Sequence, residues 1–165
     1  MRKSNLLNVL YENEKVVLPA LSGNRTIYGS KEVFSSYVDE DFKNWDLNKK
    51  SKSTPETEVK IYEMVKDATF KDIFTSLSDD LDSLCLTQDQ IIDFCVKYLE
   101  RLRQDGYGTF FLFKKRRLFR RDKFFVVDVD VSVDSYGLRV YVSHFDDAFV
   151  WNADYRHRVV VPKLS

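Results

Sequence analysis

In the C-terminal third of the chain, apolar and polar residues alternate with a period of two, which is the pattern of β-strands. Turn-forming residues interrupt the alternation at Asp134-Ser135-Tyr136-Gly137. Neighbouring strands joined by such turns pair in antiparallel fashion. The pattern therefore predicts an antiparallel β-meander of about four strands, at residues 109–113, 124–133, 138–145 and 158–161.

In the segment that precedes these strands, apolar residues recur with the spacing of a helix. Thr87 and Gln90 have the spacing of a capping box, in which each side chain bonds the backbone of the other residue. Apolar residues then recur on one helical face, and Gly106 stands where a left-handed residue would end the helix. A long helix over residues 88–104 is therefore predicted to pack on the meander.

The N-terminal part contains shorter segments. The pattern of residues 24–28 predicts a short strand. Ser30 is then placed to begin a helix that ends before residue 40. Residues 57–65 have the period-two spacing of a strand, and Thr69 is placed to cap a short helix after it. The N-terminal part is thus predicted to consist of short strands and helices.

The hairpin between the second and third predicted strands suggests a register. Pairing Val133 with Leu138 places aliphatic residues on one face of the sheet. The opposite face then carries Asp128 and Asp130, with Tyr141 beside Asp130, and is expected to be open to water. One dry face covered by a helix and one wet face define an α+β fold class.

Composition supports a folded chain. Of the 165 residues, 44% are hydrophobic and 15% aromatic, which is too apolar for a disordered chain. The length predicts a single domain over residues 1–165, with a possible internal boundary in the polar loop 46–57. Cys85 and Cys95 match neither a redox nor a zinc motif, so reduced thiols are expected.

Charge is balanced overall but unevenly distributed. The chain has 26 basic and 26 acidic residues, which argues against a surface built entirely for nucleic acid or an anionic membrane. Residues 101–123, however, contain nine Lys or Arg residues and only Asp105 and Asp122 as acids. The asymmetry therefore indicates one local basic patch rather than a basic domain.

The C-terminal run also resembles a known group of proteins. Its sequence is Trp151-Asn152-Ala153-Asp154-Tyr155-Arg156-His157-Arg158-Val159-Val160-Val161-Pro162. This run, with the aromatic strands before it, is similar to a group of small hypothetical proteins predicted in genomes of candidate-phylum bacteria. In that group the first two strands of the sheet are joined by a short, often acidic hairpin, whereas this chain has a long basic connection. The resemblance implies no activity, cofactor or site residue.

That basic connection is the first candidate site. Positive charges on a hairpin tip can neutralise phosphates and release counterions, and Phe119 or Phe113 is placed to stack on an unpaired base. Alternatively, the charges protect a sheet edge or complement the acidic half of the chain. The candidate nucleic-acid-binding residues are Lys114, Lys115, Arg116, Arg117, Phe119, Arg120, Arg121 and Lys123.

Asp128 and Asp130 form the second candidate site. Two residues apart on a strand, they project from one face and can bridge a divalent cation. With further ligands nearby, a metal-dependent phosphodiesterase or nuclease is an alternative function. Polar decoration of a solvated sheet face is the favoured explanation. The additional ligands considered are Asp134, His144, Asp146, Asp147 and His157.

No catalytic motif accompanies these sites. The chain has two histidines, no Gly-x-Ser-x-Gly elbow and no Gly-rich phosphate loop. The apolar stretch near the N-terminus is too short for a signal peptide, and no run is long enough to span a membrane. We therefore expect a cytoplasmic protein without catalysis or cofactor that binds an unidentified protein or nucleic acid and no membrane.

Overall fold

The computed structural model describes residues 5–165 and contains eight strands in one mixed sheet. Met1–Ser4, with the first basic residues, lie outside the described part. The strands are β1 (Leu7–Leu10), β2 (Val16–Leu18), β3 (Tyr37–Val38), β4 (Thr57–Met64), β5 (Gly108–Lys115), β6 (Lys123–Val131), β7 (Leu138–His144) and β8 (Arg158–Pro162). Their order is β1-β4-β8-β5-β6-β7-β3, and β2 pairs with the other end of β4.

Residues 5–165 contain three short α-helices: α1 (Asp41–Asn44), α2 (Phe70–Thr75) and α3 (Gln88–Lys97). Short 3₁₀ turns cover Leu81–Leu84, Leu99–Arg101 and Ala153–Tyr155. None of these helices is long and apolar enough to cross a membrane.

Apolar side chains cover parts of both faces of the sheet. On one face, Phe94 of α3 packs on Phe111 of β5, with ring centroids 5.6 Å apart. On the other face, Phe70 of α2 packs edge-on against Phe110, with centroids 5.0 Å apart. Neighbouring residues of β5 thus point into two different clusters, as strand geometry requires.

The predicted α+β fold with a four-stranded antiparallel meander is wrong. Strand β8 lies between β4 and β5, and it runs parallel to β5. Val159, Val160 and Val161 are all buried, which suits a central strand covered on both faces. A parallel neighbour is reached through a long connection, and periodicity within a strand does not reveal that choice.

The predicted long helix is also wrong, although its start is confirmed. Thr87 and Gln90 form the capping box, but α3 ends at Lys97. The hydroxyl of Tyr98 donates to Val17 O (3.0 Å) and accepts from Val17 N (3.1 Å). These bonds tie Tyr98 to β2 in a non-helical backbone conformation (φ −120°), and α3 stops there.

In the N-terminal part, two of four predicted elements form. Strand β4 is present at Thr57–Met64, and the Thr69 hydroxyl caps α2 by accepting from Asp72 N (3.2 Å). Residues 24–28 are not a strand, and Ser30 begins only a single turn. The polar side chains of this stretch bond nearby backbone instead, as Ser30 Oγ does to Thr26 O (2.7 Å).

The predicted register of the β6–β7 hairpin is wrong by two residues. Leu138 pairs with Val131 rather than with Val133, which is 58% exposed in the loop. The loop is longer than predicted because Ser132 N bonds Gly137 O (2.8 Å) and closes it there. A shift of two residues keeps every side chain on its predicted face, so Asp128 and Asp130 still share one face.

Candidate functional site

The basic hairpin, residues 114–123, joins β5 to β6. Lys114 and Lys115 end β5, Lys123 begins β6, and residues 116–122 form the loop between them. Phe119 lies in this loop with a left-handed backbone (φ 62°) and a fully exposed side chain. Its ring is therefore available to a partner, whereas Phe113, the other predicted stacking residue, is buried in the core.

Some charged side chains of the hairpin form hydrogen bonds or ion pairs within the protein. Lys114 Nζ lies 2.8 Å from Asp82 Oδ1, and this hydrogen bond raises the pKa of Lys114. Lys115 Nζ donates to Trp45 O (3.1 Å), and Arg117 Nε donates to Arg121 O (2.9 Å). The two lysines thus complement acidic or carbonyl groups of the N-terminal part, as the alternative explanation of the run proposed.

Three arginines of the hairpin make no ion pair among the described residues: Arg116, Arg120 and Arg121. All three are exposed, and among residues 5–165 no carboxylate lies within ion-pair distance of them. Exposed guanidinium groups of this kind present planar donors to phosphate or carboxylate groups. The structure therefore leaves most of the arginines of the run free for an external anion.

A cavity of about 570 Å³ lies beneath the hairpin. Its wall opposite the hairpin is the polar loop 46–57, a segment about 65 residues earlier in the chain. We call this space the basic cleft. Its charged lining residues are Asp46, Lys49, Lys50, Lys52, Asp82, Lys114, Lys115 and Arg116.

Three lysines of this cleft were missed by sequence reasoning. Lys49, Lys50 and Lys52 come from the loop, and Lys50 and Lys52 have no ion-pair partner among the described residues. Their close spacing in the sequence is a visible signal, but on its own it indicates only a polar surface loop. In the structure these lysines line the same cavity as Lys114, Lys115 and Arg116 of the basic hairpin.

The loop that carries these lysines is held in place at both ends. Leu47 is buried, and its carbonyl accepts from Gln88 Nε2 of α3 (2.7 Å). Leu21 and Thr54 exchange two backbone hydrogen bonds, of 3.0 and 2.9 Å. At Gly23 (φ 83°) a Cβ atom would lie 2.4 Å from Lys52 O, so only glycine lets the loop approach. The lysines are therefore presented on a fixed backbone.

The second candidate site, the carboxyl pair Asp128 and Asp130, lies on β6. Asp130 pairs across the strands with Gly108 and Arg139, and its Oδ2 lies 3.8 Å from Arg139 Nη2. Asp128 Oδ1 is buried and has no hydrogen-bond partner among the described residues. A Cβ at Gly108 would lie 2.2 Å from this oxygen, so the glycine makes room for the carboxyl group.

The expectation of an open, solvated face around these carboxyl groups is therefore wrong. Burial raises the pKa of Asp128 well above its usual range, and the charge of Asp130 raises it further. Burial also raises the pKa of Asp130, although Arg139 opposes that shift. Large neighbours account for the burial, because Tyr141 and Phe110 pair directly with Asp128 from either side.

The other predicted metal ligands do not join this pair. Among residues 5–165, no group of three or more His, Cys, Asp or Glu side chains is placed to hold a metal ion. His144 stacks on Trp45, with ring centroids 4.3 Å apart, and Asp134, Asp146 and Asp147 are exposed in loops. The phosphodiesterase alternative thus lacks a third ligand within the described residues.

His157 is a structural residue. Its Nδ1 accepts from Gly108 N (2.9 Å), and its ring stacks on Phe110 with centroids 5.1 Å apart. Burial lowers its pKa from 6.5 to about 4. Desolvation is the main cause of this lowered pKa, and the charge of Arg103 is a minor one.

The two thiols are not activated for catalysis. Burial, followed by the nearby Asp82, raises the pKa of Cys85 to about 12, and burial also raises the pKa of Cys95. A nucleophilic cysteine instead needs a lowered pKa.

Comparison of the chain with protein-family models, with curated proteins and with solved structures gives no match. The resemblance of its C-terminal run to the candidate-phylum group stays a prediction.

Proposed function

We propose that this protein binds the backbone of single-stranded nucleic acid in the basic cleft and along the basic hairpin, without catalysing a reaction. One observation carries the proposal: the fold places lysines of loop 46–57 opposite the hairpin, although the two segments are far apart in sequence. Six cationic and two acidic side chains line the cleft, a formal charge of +4. Such a concentration of exposed cations is the electrostatic signature of phosphate binding.

The surface favours a single strand over a duplex. Leu118 and Phe119 are 86% and 101% exposed at the tip, between pairs of arginines. A fully exposed ring beside cations is suited to stacking on an unpaired base, which a base-paired duplex does not offer.

The test uses two double variants that remove equal charge. Lys50→Ser with Arg116→Ser removes two unpaired cations of the cleft, and Lys66→Ser with Lys71→Ser removes two exposed cations outside it. Binding of a labelled oligothymidylate of about ten nucleotides is followed by fluorescence anisotropy at several salt concentrations. The cleft variant should bind about tenfold more weakly and with a lower salt slope, by roughly 0.7 for each lost phosphate contact.

The control variant should bind like the parent protein, because charges outside the contact surface are screened by salt. Equal weakening by both double variants would mean that net charge, rather than the cleft, governs binding. If neither DNA nor RNA binds the parent protein at low salt, the proposed function is wrong, and an acidic protein surface becomes the partner to test.

A further inference from the structure

We propose that the basic cleft holds one whole nucleotide of the bound strand, with its base inside the cavity and its phosphates at the cationic rim. This inference rests on the proposed function and adds a position at which the base itself is bound. It follows from two properties of the cleft: its volume, and the distribution of apolar and cationic lining residues.

The cavity has the size and walls of a small-ligand site. Its volume of about 570 Å³ falls within the range of pockets that enclose small molecules. A surface that binds only the backbone needs no such depth, because phosphates are contacted from outside. Apolar side chains form part of the wall. Pro55 and Pro162 are accessible to the face of a base, whereas Leu47, Leu86 and Phe113 border the cavity but are buried.

Some of the cationic side chains around this apolar wall form ion pairs, and others do not. Asp46 accepts from Lys49 (3.0 Å) and Lys115 (3.5 Å), and Asp82 accepts from Lys114 (2.8 Å). Lys50, Lys52 and Arg116 have no such partner among residues 5–165. Phosphates can therefore be bound by these three side chains without breaking an existing ion pair.

The hydroxyl and side-chain amide groups around the cavity provide no unpaired, accessible partner for a base edge. Thr54 Oγ1 is buried and has no hydrogen-bond partner among the described residues. An atom without surface open to water is also closed to a ligand in an open cavity, so this hydroxyl makes no contact with a base. The other lining hydroxyls and side-chain amides already make hydrogen bonds: Ser51, Thr57, Ser83, Thr87, Gln88 and Gln90.

This arrangement implies weak discrimination between bases. Reading a base by its edge requires a pair of donors or acceptors in fixed positions. A cavity without such a pair instead holds any base by packing. We therefore infer a site that recognises a nucleotide as a class rather than one sequence.

The experiment compares two labelled strands with the same phosphates. One is an oligothymidylate of about ten nucleotides, and the other carries abasic units at every position. If a base enters the cavity, the parent protein should bind the abasic strand about tenfold more weakly, since the contribution of one buried base is of that size.

Two variants locate the effect. Ser51 lines the cavity, whereas Ser53, in the same loop, is exposed and does not. In a Phe119→Ala background, which removes base stacking at the hairpin tip, Ser51→Trp should fill the cavity and reduce the preference for the base-containing strand to less than twofold. Ser53→Trp in the same background should retain the preference. Thermal unfolding of both variants shows whether they fold, and the strand comparison on the parent protein stands without them.

The outcomes separate the two proposals. If both strands bind the parent protein equally, the base-binding inference is wrong, although backbone binding stands. The base-binding inference is also wrong if Ser51→Trp folds and keeps the full preference. If neither strand binds at low salt, the proposed function fails as well.

Discussion

The basic cleft and the carboxyl pair both bring like charges together, but they differ in their access to water. The unpaired cations of the cleft, such as Lys50 and Arg116, are exposed, so water and salt screen their mutual repulsion. Asp128 and Asp130 lie side by side on one face of β6, where the side chain of Asp130 is only 14% exposed. There burial and the charge of Asp130 raise the pKa of Asp128, so this carboxyl group keeps its proton to a higher pH than a free carboxyl group does.

This difference separates two roles. Exposed like charges retain their charge at every physiological pH and attract an external anion. Buried like charges instead make the stability of the fold depend on pH, because the folded and unfolded chains bind different numbers of protons. The cleft is accordingly the candidate binding site, and the carboxyl pair is a determinant of stability.

The largest effect is expected from removing the arginines of the hairpin. Replacement of Arg116, Arg117, Arg120 and Arg121 by Ser should weaken binding of single strands about 100-fold or more at low salt. It should also lower the salt slope by roughly 3, since each phosphate contact contributes about 0.7. Anisotropy titrations with several unrelated strands provide the measurement. A loss confined to one sequence would contradict backbone binding.

His157 should make the protein less stable in acid. Its folded pKa of about 4 lies below the usual 6.5, so the folded state binds fewer protons between these values. Its contribution is present above pH 6.5 and is lost as the pH falls to 4, by about 3 kcal/mol of unfolding free energy. Urea unfolding at several pH values measures this slope. His157→Gln should flatten it, and an unchanged slope in that variant would place the acid sensitivity elsewhere.

The carboxyl pair should act in the opposite direction. Because the folded pKa of Asp128 is raised, its contribution is full below the usual value of 3.8 and is lost as the pH rises through the folded pKa. Asp128→Asn should therefore increase the unfolding free energy by about 1 kcal/mol at about pH 8. Asp134→Asn, in an exposed loop, serves as the control and should change it by less than about 0.5 kcal/mol. A less stable Asp128→Asn protein would contradict the assignment.

The smallest effect concerns the helix that forms part of the cleft. Thr87 Oγ1 accepts from Gln90 N (3.2 Å), so Thr87→Ala should cost about 1 kcal/mol of unfolding free energy. Thr69→Ala removes the corresponding cap of α2, which does not line the cleft, and should cost a similar amount. Only Thr87→Ala should also weaken the binding of single-stranded nucleic acid. A stability change of only a few tenths would reject the capping role.

Local features were predictable from the sequence because they depend on residues close together in the chain. The Thr87–Gln90 box, the Thr69 cap and strand β4 follow from spacing alone. The position of β8 beside β5 and the end of α3 at Lys97 depend on partners far away in sequence. The Tyr98 hydroxyl bonds with β2, for example, have no local signal.

The same distinction applies to the two sites. The basic hairpin was evident as a run of charge. That Lys49, Lys50 and Lys52 line the same cavity as the hairpin depends on the close approach of Gly23 to the loop. Alternation placed Asp128 and Asp130 on one face correctly. The burial of that face could not be predicted, because it arises from neighbouring strands whose order and register were mistaken.

A titration of the ¹⁵N-labelled protein with oligothymidylate, followed through its backbone amide resonances, tests the central claim most directly, because it observes both regions at once. We predict shifts in loop 46–57 and in residues 113–121, with little change around Asp128 and Arg139. The shifts should shrink as salt is added. Shifts centred on the carboxyl pair, or none at low salt, would contradict the assignment of the basic cleft as the binding site.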